Sequence, residues 1–592
     1  MTSRITLKGG AFLIEAAAPE DVFTPEDLTD QHRLIAETGE QFMSRDILPR
    51  SKDIEEKKPG LLRELLKKAA EVGLCGTDVP QRYGGLELDK ISSIIVSEKM
   101  ARNGSWASTI GAQSGIGILP IALFGTEEQK QKYVPRLAAG EWVGAYALSE
   151  ASSGSDALHC RARASLSAEG RCYLLNGSKM WVTNGGIADV YVVFAKVDGE
   201  KFTAFIVERN FPGVSPGAEE HKMGIRGAST TAVHFENTPV PVENVLGEIG
   251  EGHRIAFNIL NFGRLKLGAG CVGASKYLIA EAARWANERE AFGQRIGDFG
   301  LIKEKLGEMI ARTYGAESIS YRIAGLIERA LEGARSAAPV SADATMAILR
   351  EYAIECSILK VIGTETLHFV ADETVQVYGG YGFSSDYEVE KAFRDQRVNR
   401  IFEGTNEINR LLIVDMLVKR ALKGELELWS AARKLLDDML SLPTPPAENN
   451  QPLGDAAALV EGLKKTALLV AGLAAQKYMT ALSQEQEVAS ALSNLVMEAY
   501  ALETTYLRAL KKMIHDPEAP PEIEVLRVCA YEAADQAEMQ GRRALARIAQ
   551  GDELRAYWGG LRRFLKREPP DLIGLKRRLA DRALEMKHYP FA

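Results

Sequence analysis

The sequence predicts a mainly α-helical protein with a β domain at its centre. Three observations carry this. Apolar residues recur at helical spacing early in the chain and again through its second half. Between them, residues 141–250 are rich in Val, Tyr, Phe and Thr and are punctuated by Asn-Gly and Asp-Gly, the dipeptides of tight hairpins. The chain has 592 residues, too many for one compact core, so several domains are expected.

Residues 1–27 read as an N-terminal extension and 28–140 as a helical domain. In "GLLRELLKKAAEVGL", Leu61, Leu62, Leu65, Leu66, Ala69 and Val72 share one face, with Glu64, Lys67, Lys68 and Glu71 on the other. "VPQRYGG", at 79–85, breaks the pattern with Pro and Gly. Residues 141–250 read as an antiparallel, barrel-like β domain. Helical periodicity returns over 251–423, through "LIKEKLGEMIARTYGAES" and "AILREYAIECSILKVIG". An additional helical domain spans 424–592, and within it "SLPTPPAENNQPLG", at 441–454, reads as an exposed loop. There is no GxGxxG after a strand, no Walker A motif and no βαβ alternation, so any nucleotide cofactor must be held by another fold.

Composition narrows the function classes. Apolar residues at 46% and charged residues at 26% describe a globular protein. A net charge of −8 argues against non-specific nucleic-acid binding. The six cysteines are scattered, with no CxxC and no neighbouring histidines. Neither a metal site nor a disulfide framework is expected, and a reducing cytoplasm is the natural compartment. The start of the chain has neither the pattern of a signal peptide nor that of an Arg-rich presequence. The longest apolar run, 466–475, is too short for a bilayer, which takes about 20 residues.

Five constellations could carry chemistry. In "RIFEGTNEINRLL", Glu403 sits between an apolar pair and a glycine where a helix begins. It could simply favour the positive end of that helix. Ile401 and Phe402, however, promise an apolar pocket that would raise a carboxyl pKa toward that of a usable base, and Gly404 permits close approach. "YALSEASSGSD", at 146–156, crowds hydroxyls and backbone N–H groups into a loop, or is merely a polar turn. In "KMWVTNGG", at 179–186, Trp181 and Thr183 at a strand end would present an aromatic plane and a hydroxyl to one side, suited to a planar cofactor or to the core. "EREAFG", at 288–293, places Arg289 and Phe292 at i and i+3 on a helix, for a phosphate and an adenine face or for a surface ion pair. "QVYGGYGF", at 376–383, exposes backbone N–H groups to which a phosphate could bind.

In order and spacing, these motifs together resemble the flavin-dependent acyl-CoA dehydrogenase family from about Leu28 to Val418. The resemblance is carried by "ALSEASSGSD", "KMWVTNGG", "MGIRGASTTAVHFENTPVPVENVLG", "EREAFGQ", "VQVYGGYGF" and "FRDQRVNRIFEGTNEINR". The extra C-terminal domain, "DFGLIKEKLGEMIAR" and "RIFEGTNEINRL" are most similar to the very-long-chain branch. The chain departs from the pattern at Gly300, where many relatives carry Gln. It also departs at 149–152, where "SEAS" replaces Thr-Glu-Pro, although Ser149 keeps the hydroxyl.

The resemblance implies a core of helical, β and helical domains, with FAD between the second and third. Tyr146, Leu148, Ser149, Gly154 and Ser155 would run along the flavin and pyrophosphate, and Ser155 would also touch CoA. Trp181 would flank the isoalloxazine and Thr183 would sit near its N5. Thr405 and Asn406 would border the cofactor. Arg289, Phe292, Gln376, Gly379 and Gly380 would reach the FAD of a partner subunit. Arg264, Phe402 and Gly404 would lie at the thioester end. The implied reaction is α,β-dehydrogenation of an acyl-CoA to trans-2-enoyl-CoA, the first step of β-oxidation, with Glu403 taking the α-proton and FAD accepting a hydride. In the family, the base's own N–H and a flavin ribityl hydroxyl hold the thioester carbonyl. Some members carry the base on an earlier helix, just before an Arg. Here that position is Gly263, before Arg264, so the resemblance assigns the base to Glu403.

In "WASTIGAQSGIGILP", the small residues Ser108, Gly111, Ala112, Gly115 and Gly117 leave depth for a long acyl chain, or let helices pack closely. The branch resemblance further implies a homodimer and an electron-transfer flavoprotein as acceptor. Arg562, Arg563, Lys566, Arg567, Lys576, Arg577 and Arg578 form either a solvated face or a contact with anionic lipid, peripheral at the inner membrane surface. The alternative reading is an acyl-CoA oxidase or another flavoenzyme on the same fold.

Overall fold

The computed structural model describes residues 7–337, 341–440, 453–516 and 520–591. It has the predicted order of helices, sheet and helices, followed by a further helical layer. All but the last two residues of the 441–454 stretch lie outside the described residues.

In the N-terminal domain, the Leu61–Glu71 helix buries Leu61, Leu62, Leu65, Leu66 and Ala69, as its periodicity predicts. Val72 does not join them: it is the C-cap, where the helical backbone ends, and its side chain is exposed. The 104–124 stretch is long and apolar enough to cross a membrane. It is broken by a π turn at Ala112–Gly117, however, and most of its apolar window is buried inside the protein.

The sheet has eight strands: β1 (Gly144–Ala147), β2 (Arg163–Leu166), β3 (Cys172–Thr183), β4 (Val190–Val197), β5 (Lys201–Glu208), β6 (Val214–Glu219), β7 (Thr230–Pro241) and β8 (Val245–Leu246). Their order is β6-β7-β3-β2-β4-β5-β8, with β1 also on β4. The sheet is therefore not purely antiparallel, because β1 and β2 both run parallel to β4. They pair with successive parts of it, Val190 to Val193 and then Lys196 to Val197, and the chain between them is looped out. That loop is the 146–156 motif and its continuation.

Long helices then form the bundle: Gly252–Glu288, Gly300–Ala337 and Ala353–Tyr378. The C-terminal layer packs on them through buried charge. Arg322 donates to Glu503 Oε2 at 2.8 Å and Thr504 Oγ1 at 2.7 Å, and Arg508 bonds Glu317 and Ser318. Arg577 lies 3.0 Å from where a Cβ at Gly300 would stand, so any larger residue there would press on this layer. Residues 8–28 form a strap between bundle and C-terminal layer. Phe12 packs on Tyr500 at 4.6 Å, and Gly10 donates to Glu355 Oε1 at 2.7 Å. Glu26 and Asp27 receive Arg508 and Lys511.

Candidate active site

Glu403 lies three residues before the start of the Asn406–Leu422 helix, not in its first turn. Thr405 is the N-cap, its hydroxyl accepting from Ile408 N–H at 3.2 Å. Glu403 and Gly404 both have left-handed backbone, at φ 57° and 77°. For a glutamate this costs about 1 kcal/mol or more, so neighbouring groups must hold it. Arg264 Nε donates to Glu403 O at 3.1 Å, and Lys360 Nζ donates to Gly404 O at 2.8 Å. Asn409 Nδ2 lies 3.3, 2.8 and 3.0 Å from the carbonyls of 403, 404 and 405. The Glu403 N–H, by contrast, donates to no acceptor among the described residues.

The carboxyl stands against Gly263. A Cβ at 263 would fall 2.7 Å from Oε2 and 2.9 Å from Oε1. The two alternative base positions are thus one place in space, and the missing side chain at 263 makes room for the carboxyl of 403. Oε2 is buried without a hydrogen-bond partner. Enclosure pushes the carboxyl up to about 7, while Arg264 and then Lys360 pull the other way. What exposure Glu403 keeps faces a cavity of about 220 Å³.

That cavity runs away from Glu403 along the Gly252–Glu288 helix, past Gly263, Leu267, Gly270, Ala274 and Leu278. Its opposite wall holds Ser108, Gly111, Ala112 and Gly115. The two readings of these small residues separate cleanly. Gly111 and Gly115 have nothing within 4 Å of a built Cβ and so leave depth. Gly117 does not line the cavity. Its Cβ would fall 2.8 Å from Ala112 O and 2.9 Å from Gly144 C, so it serves close backbone packing.

Thr183 and Phe402 also line the cavity. Trp181 stands at a bulge between Lys179 and Val182, takes φ 60° and is 57% exposed, while Val182 between it and Thr183 is buried. Arg264, expected to touch substrate, is buried beneath the loop and bonded to Glu403 O and Asn261. The Asn406 side chain bonds Lys360, Thr364 and Glu365, so only its backbone is free to meet a cofactor. Leu148 and Ser149 are half-buried, while Gly154 and Ser155 are exposed on their loop.

The residues present fit a flavin between sheet and bundle. The Tyr146 hydroxyl is buried without a partner and electrostatically close to Glu403, whose Oε2 is likewise unpartnered. Thr183 adds a hydroxyl on the sheet side. A donor set of this kind, orphaned among protein groups, suits a polar ring system rather than apolar packing.

The remaining predicted residues lie elsewhere in the chain. The Gly252–Glu288 helix ends before Arg289, so Arg289 and Phe292 are not on a helix. Glu290–Ala291 and Gln294–Arg295 form a hairpin whose turn residues Phe292 and Gly293 have φ 55° and 81°, the type I′ signature. Phe292 at its tip is 96% exposed. Arg289, Gly379 and Gly380 line an open cleft of about 830 Å³ with stacked Trp285 and Tyr378, and this cleft shares no lining residue with the Glu403 cavity. Gln376 is exposed nearby on the same helix end.

Sequence reasoning missed the groups that hold the site. Lys179 is fully buried and binds Glu150 at 2.7 Å. Glu150 in turn accepts the N–H groups of Arg161 and Ala162 and so fixes the looped-out motif. Lys360 was visible only as a lone cation in the apolar run "CSILKVIG".

Family models described as the acyl-CoA dehydrogenase N-terminal, middle and C-terminal domains match residues 29–141, 145–238 and 250–418. A second model described as an acyl-CoA dehydrogenase C-terminal domain matches 462–563. The chain is 47% identical to a probable acyl-CoA dehydrogenase of Bacillus subtilis (strain 168), over 98% of both chains. It is 39% identical to the very long-chain specific acyl-CoA dehydrogenase, mitochondrial, of Homo sapiens, over 64% of this chain and 58% of that one. A crystal structure of an acyl-CoA dehydrogenase complexed with FAD from Bacillus anthracis superposes with a TM-score of 0.97 at 46% identity, covering 98% of this chain and 100% of that one. The chain therefore belongs to the acyl-CoA dehydrogenase family, a family of FAD-dependent oxidoreductases, and is similar to its very-long-chain members.

Proposed function

We propose that this protein dehydrogenates long-chain fatty acyl-CoA to trans-2-enoyl-CoA, as the first step of β-oxidation, with Glu403 as the base. The observation that carries this reading is the Glu403 carboxyl, pushed to about 7 and facing the blind side of the acyl cavity at Gly263. Near neutral pH such a group is about half ionised and basic enough to take a proton from carbon adjacent to a thioester. The unused N–H of Glu403 can donate to the thioester carbonyl as negative charge develops on its oxygen, which is worth several kcal/mol (about 3–4 per donor). Arg264, Lys360 and Asn409 hold the three carbonyls of 403–405 and keep that N–H and the carboxyl in fixed relation. Bound FAD supplies the hydride acceptor. Tyr146 and Thr183 would hold it from the sheet side, and Thr405 would border it from the bundle.

The cavity supports the long-chain reading. Gly263 to Leu278 is about 22 Å of helix. At roughly 1.25 Å of advance per C–C bond, that is on the order of 18 carbons, room for a hexadecanoyl chain. Anaerobic titration of the FAD-loaded enzyme with butanoyl-, octanoyl- and hexadecanoyl-CoA tests the reading. Flavin bleaching strongest with hexadecanoyl-CoA supports it, and no bleaching with any of them overturns it. Oxygen uptake without an added acceptor would instead favour the oxidase reading.

Two features support a homodimer. The Arg289–Gly380 cleft lies apart from the Glu403 cavity, and Phe292 and Phe383 beside it are 96% and 90% exposed on the single chain. A second copy would bring this cleft to the first copy's cofactor. Light scattering that finds a monomer with full FAD content would refute this. An electron-transfer flavoprotein is the acceptor we propose, and the cytoplasm the compartment. Peripheral lipid contact would rest on Arg562, Arg563, Lys566 and Arg577, since Arg567, Lys576 and Arg578 already pair with carboxylates within the chain. Binding to anionic vesicles that equals a neutral-lipid control would exclude it.

A further inference from the structure

Lys360 is fully buried, yet among the described residues no carboxylate lies within ion-pair distance of it. This is unusual, because a buried ammonium normally has a counter-ion. Its two acceptors are neutral oxygens, Gly404 O at 2.8 Å and Asn406 Oδ1 at 2.7 Å. They stand on either side of the N-cap residue Thr405, so one ammonium ties the base's loop to the start of the Asn406–Leu422 helix. The charged and titratable groups facing it come from three elements. Arg264 and Cys271 lie on the Gly252–Glu288 helix, Glu403 on the loop, and Glu407 on the Asn406–Leu422 helix. Arg264 is the other cation at the base, and it binds the preceding carbonyl, Glu403 O, at 3.1 Å.

We propose that Lys360 is a positioning residue for the base. By clamping Gly404 O to Asn406 Oδ1 it keeps the left-handed Glu403–Gly404 backbone in place, so that carboxyl and N–H are presented together, and its charge favours the ionised carboxylate. Two consequences follow. Loss of the ammonium should let the 403–404 peptide relax toward ordinary backbone, which displaces the carboxyl. It should also make Glu403 harder to ionise, because among the described residues Arg264 and Lys360 are the cations that favour its charged form. Burial lowers Lys360 itself to about 8, so the clamp is charged at neutral pH and weakens above that. This inference rests on Glu403 being the base.

The test uses the FAD-loaded enzyme carrying Lys360→Met, Lys360→Gln or Lys360→Arg. Flavin absorbance reports loading, and anaerobic bleaching by hexadecanoyl-CoA reports proton abstraction across pH 6–9. For Lys360→Met we expect near-parental loading and KM, a bleaching rate down by about 100-fold, the cost of roughly 1 Å of misplacement, and an acid limb moved to higher pH. Lys360→Gln, which keeps a donor without the charge, should show the same shift of the limb with a smaller loss of rate. Lys360→Arg should return the limb toward the parent's. Parental rate and limb in both Met and Gln variants would overturn the proposal, as would a loss of rate fully matched by a loss of FAD. Glu403→Gln is the control for the underlying reading. If it still bleaches, the base is wrong; if it is dead while Lys360→Met is parental, only the positioning role fails.

Discussion

A single methyl group at position 263 should disable the enzyme without unfolding it. A Cβ built there falls 2.7 Å from Glu403 Oε2, 2.8 Å from its Cδ and 2.9 Å from Oε1, whereas ordinary contact begins at 3.4 Å. In Gly263→Ala the carboxyl must therefore withdraw by about 0.7 Å, and it can, because it is the mobile end of a side chain. A misplacement of about 1 Å costs on the order of 100-fold in rate, so a loss of roughly 30- to 100-fold is expected, or about 2–3 kcal/mol in the barrier. The effect on stability has the opposite sign. Position 263 is inside the Gly252–Glu288 helix, where replacing Gly by Ala gains roughly 0.5–1 kcal/mol. Anaerobic bleaching of loaded enzyme by hexadecanoyl-CoA, read beside a thermal melt, separates the two. A bleaching rate within threefold of the parent's would refute the placement of the carboxyl, and so would a drop in FAD content that matches the drop in rate.

Glu403→Gln should load FAD but lose at least about 100- to 10,000-fold in turnover, as removal of a general base does; near-normal turnover would show that the base is elsewhere. In the parent, bleaching should rise with pH and level off above about 7, where the buried carboxyl ionises. Because that group titrates near 7 folded against 4.5 unfolded, its contribution to stability is fully present below 4.5 and is lost as pH rises through 7. The parent should therefore fall behind the Gln variant between pH 5 and 8, by at most about 3 kcal/mol, measured by denaturant titration. Gly111→Leu should cut activity on hexadecanoyl-CoA by tenfold or more while sparing butanoyl-CoA. Gly117→Leu should lower the melting temperature instead, because its neighbours are backbone atoms.

Much of this was legible in the chain. The helix–sheet–helix order could be read because period and composition change abruptly near 141 and 251. Glu403 could be read because it stands among Ile401, Phe402 and Gly404, and the empty position 263 supported it. What escaped was whatever depends on local backbone departures. Strand periodicity gives no sign of the bulge between Lys179 and Val182 or of the left-handed backbone at Trp181. The i, i+3 spacing of Arg289 and Phe292 reads as helical, but the Phe-Gly pair turns the chain into a hairpin. The parallel pairing of β1 and β2 with β4 depends on where a loop returns, which no residue pattern encodes. The clamps Lys360, Asn409 and Lys179 were missed because a buried cation reads as a surface residue until its partners, distant in sequence, are known.

The strap also has a consequence for biosynthesis. Glu26 has its ion-pair partner Arg508 some 482 residues later, and Phe12 rests on Tyr500. At roughly 5–20 residues per second, the ribosome takes about half a minute to a minute and a half to supply those partners. Throughout that interval Phe12 and its apolar neighbours have no native surface from the last layer to rest on. Arg322, in the bundle, likewise awaits Glu503 and Thr504. The C-terminal layer is therefore the closing step of maturation rather than an appendage. A chain stopped before about residue 500 would leave Arg322 and Glu26 without these partners and its own leading segment open to chaperones and proteases.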